Sequence, residues 1–147
     1  MSTVHASAVL VGPRAVLIRG PAGSGKSRLA LALIQAGTSG ALPLIRLVGD
    51  DRVHLEAANG RLLVRPAETL SGLIEVRGLG IRQVPFERTA VVGLVVDLAA
   101  ADSERLPAPK STVAEVAGVM LPRLAVAAGE DPFPLLITAL QIPDSGL

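Results

Sequence analysis

Cysteine, tyrosine and tryptophan are all missing from the 147 residues, and phenylalanine occurs only twice, as Phe86 and Phe133. Without cysteine there is no disulfide, no thiolate nucleophile and no cysteine-ligated zinc. A thiol-free chain fits a reducing compartment, so a cytoplasmic setting is expected. Two phenylalanines cannot build the aromatic platforms on which single-stranded nucleic acid stacks. Neither sign of charge is in excess: 14 Lys+Arg stand against 13 Asp+Glu, a formal net charge of +1. That argues against nucleic acid as a partner and against an acidic disordered tail. Long apolar runs are lacking too. Residues 29–45 come nearest, but Gln35, Thr38, Ser39, two glycines and Pro43 interrupt them, short of the roughly 20 apolar residues of a membrane span. The opening Met1-Ser2-Thr3-Val4-His5 has neither the basic nor the apolar region of a secretory signal. No membrane insertion is expected.

What the chain does have is aliphatic mass: 50% of it is hydrophobic, almost all Ala, Val, Leu and Ile. Its length is that of one domain with a core of its own. Strands are expected over Val4–Val11 and Arg14–Arg19, with Gly12-Pro13 between them. A helix follows over Lys26–Ala36, where Leu29, Ala30, Leu33 and Ile34 recur at helical spacing, and Gly37 is placed to cap it. Leu44–Val48 reads as a buried strand. Arg52–Glu56 and Arg61–Arg65 read as a hairpin turning at Asn59-Gly60. Residues 73–81 mix a short strand with a glycine-flexed turn. Ala90–Leu98 is the most apolar strand, Thr112–Val126 holds two more around Pro122, and Phe133–Gln141 is a terminal helix. The fold class is therefore α/β, a mixed sheet with flanking helices.

Between the second strand and the first helix lies Gly20-Pro21-Ala22-Gly23-Ser24-Gly25-Lys26-Ser27, a full match to the phosphate-loop pattern G-x-x-x-x-G-K-[ST] in its required strand–helix context. Glycines let backbone N–H groups turn inward around phosphate oxygens, and the helix N-terminus adds partial positive charge. Lys26 would bridge the outer phosphates and the Ser27 hydroxyl would ligate Mg²⁺. Such a site also needs a carboxylate. Two apolar strands supply one: residues 44–49 lead to Asp50-Asp51, and residues 91–96 lead to Asp97. Paired aspartates can divide labour between metal and proton, which favours Asp50 and Asp51, whereas a lone Asp97 suits metal work only. His5 is placed in a strand where it could pair with a carboxylate. Glu75 and Arg77 alternate along one strand and so share a face, offering a carboxylate for metal and a guanidinium for phosphate.

Taken together these residues resemble the HPr kinase/phosphorylase family, in its C-terminal catalytic domain. Three blocks carry the likeness: Val4-His5-Ala6-Ser7 with the strand it opens; the phosphate loop with its helix and Asp50-Asp51-Arg52-Val53; and Ile74-Glu75-Val76-Arg77-Gly78-Leu79-Gly80-Ile81. The resemblance implies a core like that of phosphoenolpyruvate carboxykinases and an ATP- and Mg²⁺-dependent protein serine kinase. Its partner would be an HPr-type phosphocarrier, and phosphorolysis would be the reverse activity. It implies Asp50 as general base, Asp51 as its support near the metal, and His5 hydrogen-bonded to that aspartate. Ser27, Asp51 and Glu75 would face the metal, and Arg77 the phosphate. It also implies a homo-oligomer. The chain resembles the short form typical of alphaproteobacteria, a single domain over residues 1–147 without the family's N-terminal domain. No P-G-R-N-like segment follows Val119–Pro122, although Arg123 stands near that place. The motifs leave room for two other readings, a small-molecule kinase and a non-catalytic ATP-binding regulator. Neither phenylalanine lies in the three blocks, so aliphatic side chains and backbone are expected to hold adenine.

Overall fold

The computed structural model describes residues 3–142; Met1 and Ser2, part of the segment read above as no signal, lie outside them, as do residues 143–147. In chain order the elements are β1 (Val4–Val11), β2 (Arg14–Arg19), α1 (Lys26–Thr38), β3 (Ile45–Gly49), β4 (Arg52–Ala58), β5 (Arg61–Pro66), β6 (Leu73–Val76), β7 (Gly80–Gln83), β8 (Ala90–Leu98), β9 (Val113–Val116), β10 (Val119–Val126) and α2 (Pro132–Gln141). The sheet is mixed: β8 runs parallel to both β2 and β10, and the other pairings are antiparallel.

Two long strands are shared between layers. The first residues of β1 pair with β4, and the rest pair with β2 and β3. The start of β8 pairs with β5 and its remainder with β2. The pairings thus close a ring from β2 through β1, β4, β5 and β8 back to β2. Alternate side chains enter two different cores, as the period of a strand requires. Ala6, Ala8, Leu17, Val53, Val64 and Val95 fill the space inside the ring. Val9, Val16, Ile18, Val96 and Val126 face the other way, onto Leu29 and Leu33 of α1 and Leu136 of α2.

Both helices therefore pack on one face of the sheet, and the β4–β5 layer covers the opposite face. The expected flanking helices thus share one side of the mixed sheet. The reason is local: the hairpin at Asn59-Gly60 has positive φ at both central residues (53° and 76°), the turn that folds two twisted strands back tightly. The hairpin is thus ready to cover a face that a helix would otherwise take.

Other boundaries moved for similar reasons. Gly37 does not end α1, which runs on to Thr38; a Cβ on Gly37 would lie 2.4 Å from Ile45 Cγ1, so the glycine serves the close approach of helix and β3. Ser39 caps instead, its N–H donating to the Gln35 carbonyl at 3.0 Å. Pro122 lies inside β10, at the point where β10 stops pairing with β9 and starts pairing with β8, a place that tolerates a residue without an N–H. Residues 73–83 form a complete hairpin, β6–β7. Among the described residues no helix is long and apolar enough to cross a membrane.

Candidate active site

The glycine-rich loop leaves β2 at Gly20 and enters α1 at Lys26. Gly23 (φ 79°) and Gly25 (φ 102°) adopt left-handed conformations, which glycine takes without steric cost. A Cβ on Gly20 would meet Ser24 Oγ at 2.5 Å, so the loop closes tightly on itself. Lys26 is buried, and its Nζ donates to the carbonyls of Gly20 (2.8 Å) and Pro21 (3.2 Å). Its ammonium is thereby held across the mouth of the loop. Ser24 Oγ is buried within the same loop and has no hydrogen-bond partner. Buried hydroxyls are nearly always partnered, and a phosphate oxygen is the partner this loop would supply.

One turn of chain brings Asp50 to this loop. Asp51 has φ 69°, a left-handed conformation that aspartate tolerates better than most residues. The turn sends successive carboxylates in opposite directions: Asp50 is 6% exposed, whereas the Asp51 side chain is 64% exposed. Asp50 Oδ1 accepts from Ser27 Oγ at 2.7 Å and from Ser7 Oγ at 2.8 Å. Its Oδ2 receives the backbone N–H of Glu75 at a long 3.4 Å. Ser7 is fully buried on β1, and its Oγ also accepts the Asp51 N–H at 3.2 Å. Three segments far apart in sequence, β1, β3 and β6, thus converge on the first turn of α1.

His5 Nδ1 stands 3.8 Å from Asp51 Oδ1, an exposed ion-pair distance and too long for a hydrogen bond. Glu75 joins the group through its backbone, with its side chain exposed. Arg77 is exposed in the turn beyond β6, not on the strand, so the sequence argument that Glu75 and Arg77 share a strand face does not apply. Among the described residues no cluster of three metal-capable His, Cys, Asp or Glu side chains forms. The donor chemistry still suits Mg²⁺, which binds hard oxygen, commonly takes one or two protein carboxylates and draws further ligands from substrate phosphates. Ser27 Oγ and the Asp50 carboxylate 2.7 Å from it are such oxygens.

Asp97 is placed elsewhere. It points away from α1, on the face of β8 opposite Val96 and Leu98. Arg19 grips both its oxygens at 2.8 Å, and Arg123 Nε reaches Oδ2 at 2.6 Å. Arg123 also binds Asp102 at 2.7 and 3.1 Å. Burial pushes the Asp97 carboxyl up, but the hydrogen bonds and charges of Arg19 and Arg123 outweigh it and hold the carboxyl below its ordinary range. The hydrogen bonds from Arg123 lower Asp102 likewise, and Asp102 chiefly raises Arg123 in return. Asp97 is thus locked in a structural ion pair and is not the carboxylate of the loop.

Beyond the loop opens a cavity of about 690 Å³. Residues 21–25, the first turns of α1, the end of β8 and residues 126–133 line it. Phe133 is among them, although it lies outside the three sequence blocks. The ring arrives from outside the three sequence blocks because α2 packs beside α1, with Leu136 buried and Asp131 Oδ1 accepting the Phe133 N–H at 3.1 Å. Ser7 was the other residue that sequence reasoning passed over. In the sequence it stands only as the last residue of the block Val4-His5-Ala6-Ser7. A serine at an otherwise buried position of an aliphatic strand was the available signal.

The family model described as the HPr Serine kinase C-terminal domain matches residues 1–129. The chain belongs to this family. The HPr kinase/phosphorylase of Enterococcus faecalis is 36% identical over 137 residues, covering 85% of this chain and 42% of that protein. The HPr kinase/phosphorylase of Streptococcus thermophilus is 43% identical over 84 residues, covering 56% of this chain and 25% of that protein. The chain spans less than half the length of these curated relatives. The solved structure of the HPr(Ser) kinase/phosphatase from Coxiella burnetii superposes with a TM-score of 0.75 at 26% identity, covering 96% of this chain and 95% of that one.

Proposed function

We propose that this HPr kinase-family domain transfers the terminal phosphoryl group of ATP to a serine hydroxyl on an HPr-type phosphocarrier. The observation that carries the reading is the 2.7 Å contact between Ser27 of the glycine-rich loop and Asp50. It sets a carboxylate beside the residue that, in a phosphate loop, faces the outer phosphates.

In this mechanism the loop and Lys26 hold the outer phosphates. Lys26 would exchange its two loop carbonyls for phosphate oxygens. Ser27, Asp51 and Glu75 are the residues that would hold Mg²⁺, and the ion, when bound, neutralises charge on the phosphates. Asp50 accepts the proton of the acceptor serine as that oxygen bonds to phosphorus and the bond to the bridging oxygen of ADP breaks. The donors to the Asp50 carboxylate, two hydroxyls and one amide, are neutral, so taking a proton from the acceptor breaks none of these contacts as an ion pair. In reverse, inorganic phosphate attacks the phosphoserine phosphorus, Asp50 returns its proton to the departing seryl oxygen, and pyrophosphate leaves. Arg77 would meet the phosphate at the rim, and His5 would steady Asp51. The carboxykinase-like core, the cytoplasmic setting and a homo-oligomeric assembly belong to the same proposal.

The test is incubation with radiolabelled ATP, Mg²⁺ and an HPr-type phosphocarrier. Acid-stable, base-labile label on a serine of the carrier is the expected result. Label on a small molecule supports the small-molecule kinase instead, and ATP binding without transfer supports the regulator.

A further inference from the structure

Arg123 of β10 and its partners form a cluster of charges that the transfer chemistry does not use. The Arg123 side chain is 13% exposed, and its guanidinium fastens three separate segments. Nε donates to Asp97 Oδ2 at 2.6 Å, Nη1 to Asp102 Oδ2 at 2.7 Å and to the Ser111 carbonyl at 3.0 Å, and Nη2 to Asp102 Oδ1 at 3.1 Å. Joining β10 to β8 does not call for this, since the two strands already pair along their backbones.

The segment that Arg123 fastens is strained. β8 ends at Leu98, and Ala99 follows with φ 54°. A left-handed φ is costly for a residue that carries a Cβ, and such residues persist where the surroundings over-determine them. Here the Ala100 N–H donates to the Val126 carbonyl at 2.9 Å, and Arg123 holds Asp97 on one side of the turn and Asp102 on the other.

This turn adjoins the root of the glycine-rich loop. Arg19 and Asp97 stand opposite each other on the last rung of the parallel β2–β8 pairing, and Arg19 grips both Asp97 oxygens at 2.8 Å. The residues that follow them, Gly20 and Leu98, pack closely: a Cβ on Gly20 would lie 3.1 Å from Leu98 Cβ and 3.3 Å from the Leu98 carbonyl oxygen. The Gly20 carbonyl in turn receives Lys26 Nζ at 2.8 Å. One line of contacts thus runs from Asp102 through Arg123, Asp97 and Arg19 to the first residue of the loop.

We propose that Arg123 is a positioning residue for the phosphoryl donor: through Asp97 and Arg19, and by holding the strained turn at Ala99, it fixes where the loop begins and so how well residues 20–27 cradle phosphate. The proposal rests on the loop being a phosphate site. The part of the donor that Arg123 serves is the polyphosphate, because the line of contacts ends at Gly20 and Lys26.

The experiment is calorimetric titration of the full chain with ATP and, separately, with inorganic tripolyphosphate, both with Mg²⁺. Its readout is binding, so it stands apart from transfer to any acceptor. Arg123→Gln should weaken both ligands by the same factor, about five- to tenfold, because a loosened loop must be ordered at each binding event. Asp102→Asn removes only the exposed end of the line, where the side chain is 52% exposed, and so keeps the test open even where Arg123→Gln fails to fold. It should weaken both ligands about two- to threefold, as the loss of an exposed ion pair allows. Leu62→Val is the control. Leu62 is fully buried inside the ring and outside this line, so the variant should lower the unfolding temperature by loss of packing and leave both affinities within about twofold. Unchanged affinities in Arg123→Gln and Asp102→Asn, with only the unfolding temperature lowered, overturn the proposal and leave Arg123 a tie between strands. Weakening of ATP with tripolyphosphate unchanged overturns it as well, as does an equal weakening in Leu62→Val. Binding of neither ligand by the unaltered protein overturns the phosphate-loop reading and the positioning role with it.

Discussion

Asp50 and Asp97 each close a run of buried aliphatic residues, and their surroundings share no chemistry. Asp97 is met by two guanidiniums, one of them bidentate. Asp50 is met by two serine hydroxyls and a backbone amide. Arginine stays charged at any pH a protein survives, so a carboxylate paired with it is fixed as an anion and serves as a tie between strands. A carboxylate held by neutral donors keeps its position without an ion pair. What separates the two is strand parity and the turn that follows. The Asp97 side chain falls on the face of β8 away from α1, whereas the left-handed Asp51 turns Asp50 back toward the start of α1.

The sharpest way to break this comparison is to neutralise each aspartate in turn. Asp50→Asn should lower phosphoryl transfer by about 10²–10⁴, the usual contribution of a general base, with ATP affinity within a few-fold. Asp97→Asn should leave transfer within about tenfold and lower stability by about 1–3 kcal/mol. Removing one partner of a buried pair costs more than that, and the partial exposure of Arg19 reduces the cost. Labelled transfer assays and thermal unfolding of the two variants check both halves. The reverse pattern would falsify the assignment of Asp50.

Two variants ask what holds each group. Lys26→Ala should weaken ATP at least about tenfold, measured by titration, because in the proposed complex its charge-assisted bonds would go to the outer phosphates. Ser7→Ala should lower kcat about tenfold and leave KM within about twofold, since it removes a donor from Asp50 without touching the donor's phosphates. An equal rise in KM would show that Ser7 matters only for the loop's shape.

The smallest effect is on pH dependence. The carboxyl of Asp97 lies lower in the folded chain than its ordinary value, near 3.9. Its pairing with Arg19 and Arg123 thus contributes full stability above about pH 4, and this is lost as pH falls through the lowered folded value. Acid unfolding followed by circular dichroism should shift to higher pH in Arg19→Gln, whereas Ser7→Ala, which leaves that network intact, should not shift it.

Local signals carried the sequence reading a long way. The strands over 4–11, 14–19 and 90–98, the 59–60 turn and the start of α1 at Lys26 all stand where periodicity, glycine and turn residues placed them. These depend on neighbours in the chain, which a sequence displays. Boundaries such as Gly37 were misread because the glycine answers to Ile45, a contact across space. The role of Ser7 was hidden for the same reason: its partner lies 43 residues away. Phe133 was discounted because it lies outside the matching blocks, and only the packing of α2 on α1 carries it to the loop.

By itself, then, the sequence determined the loop of residues 20–27, the aliphatic strands around it and the pair of candidate strand-end aspartates. Those features are written in composition, spacing and local backbone preference. The tertiary structure decided which aspartate meets the loop, which one is tied to arginine, and where Phe133 comes to lie. It could do so because strand pairing and side-chain parity assign every residue of a shared strand to one core or the other, and that assignment exists only once distant segments have paired. The near absence of aromatic rings, at first a reason to exclude functions, leaves Phe133 as a ring that only the packing of α2 brings to the cavity beside the loop.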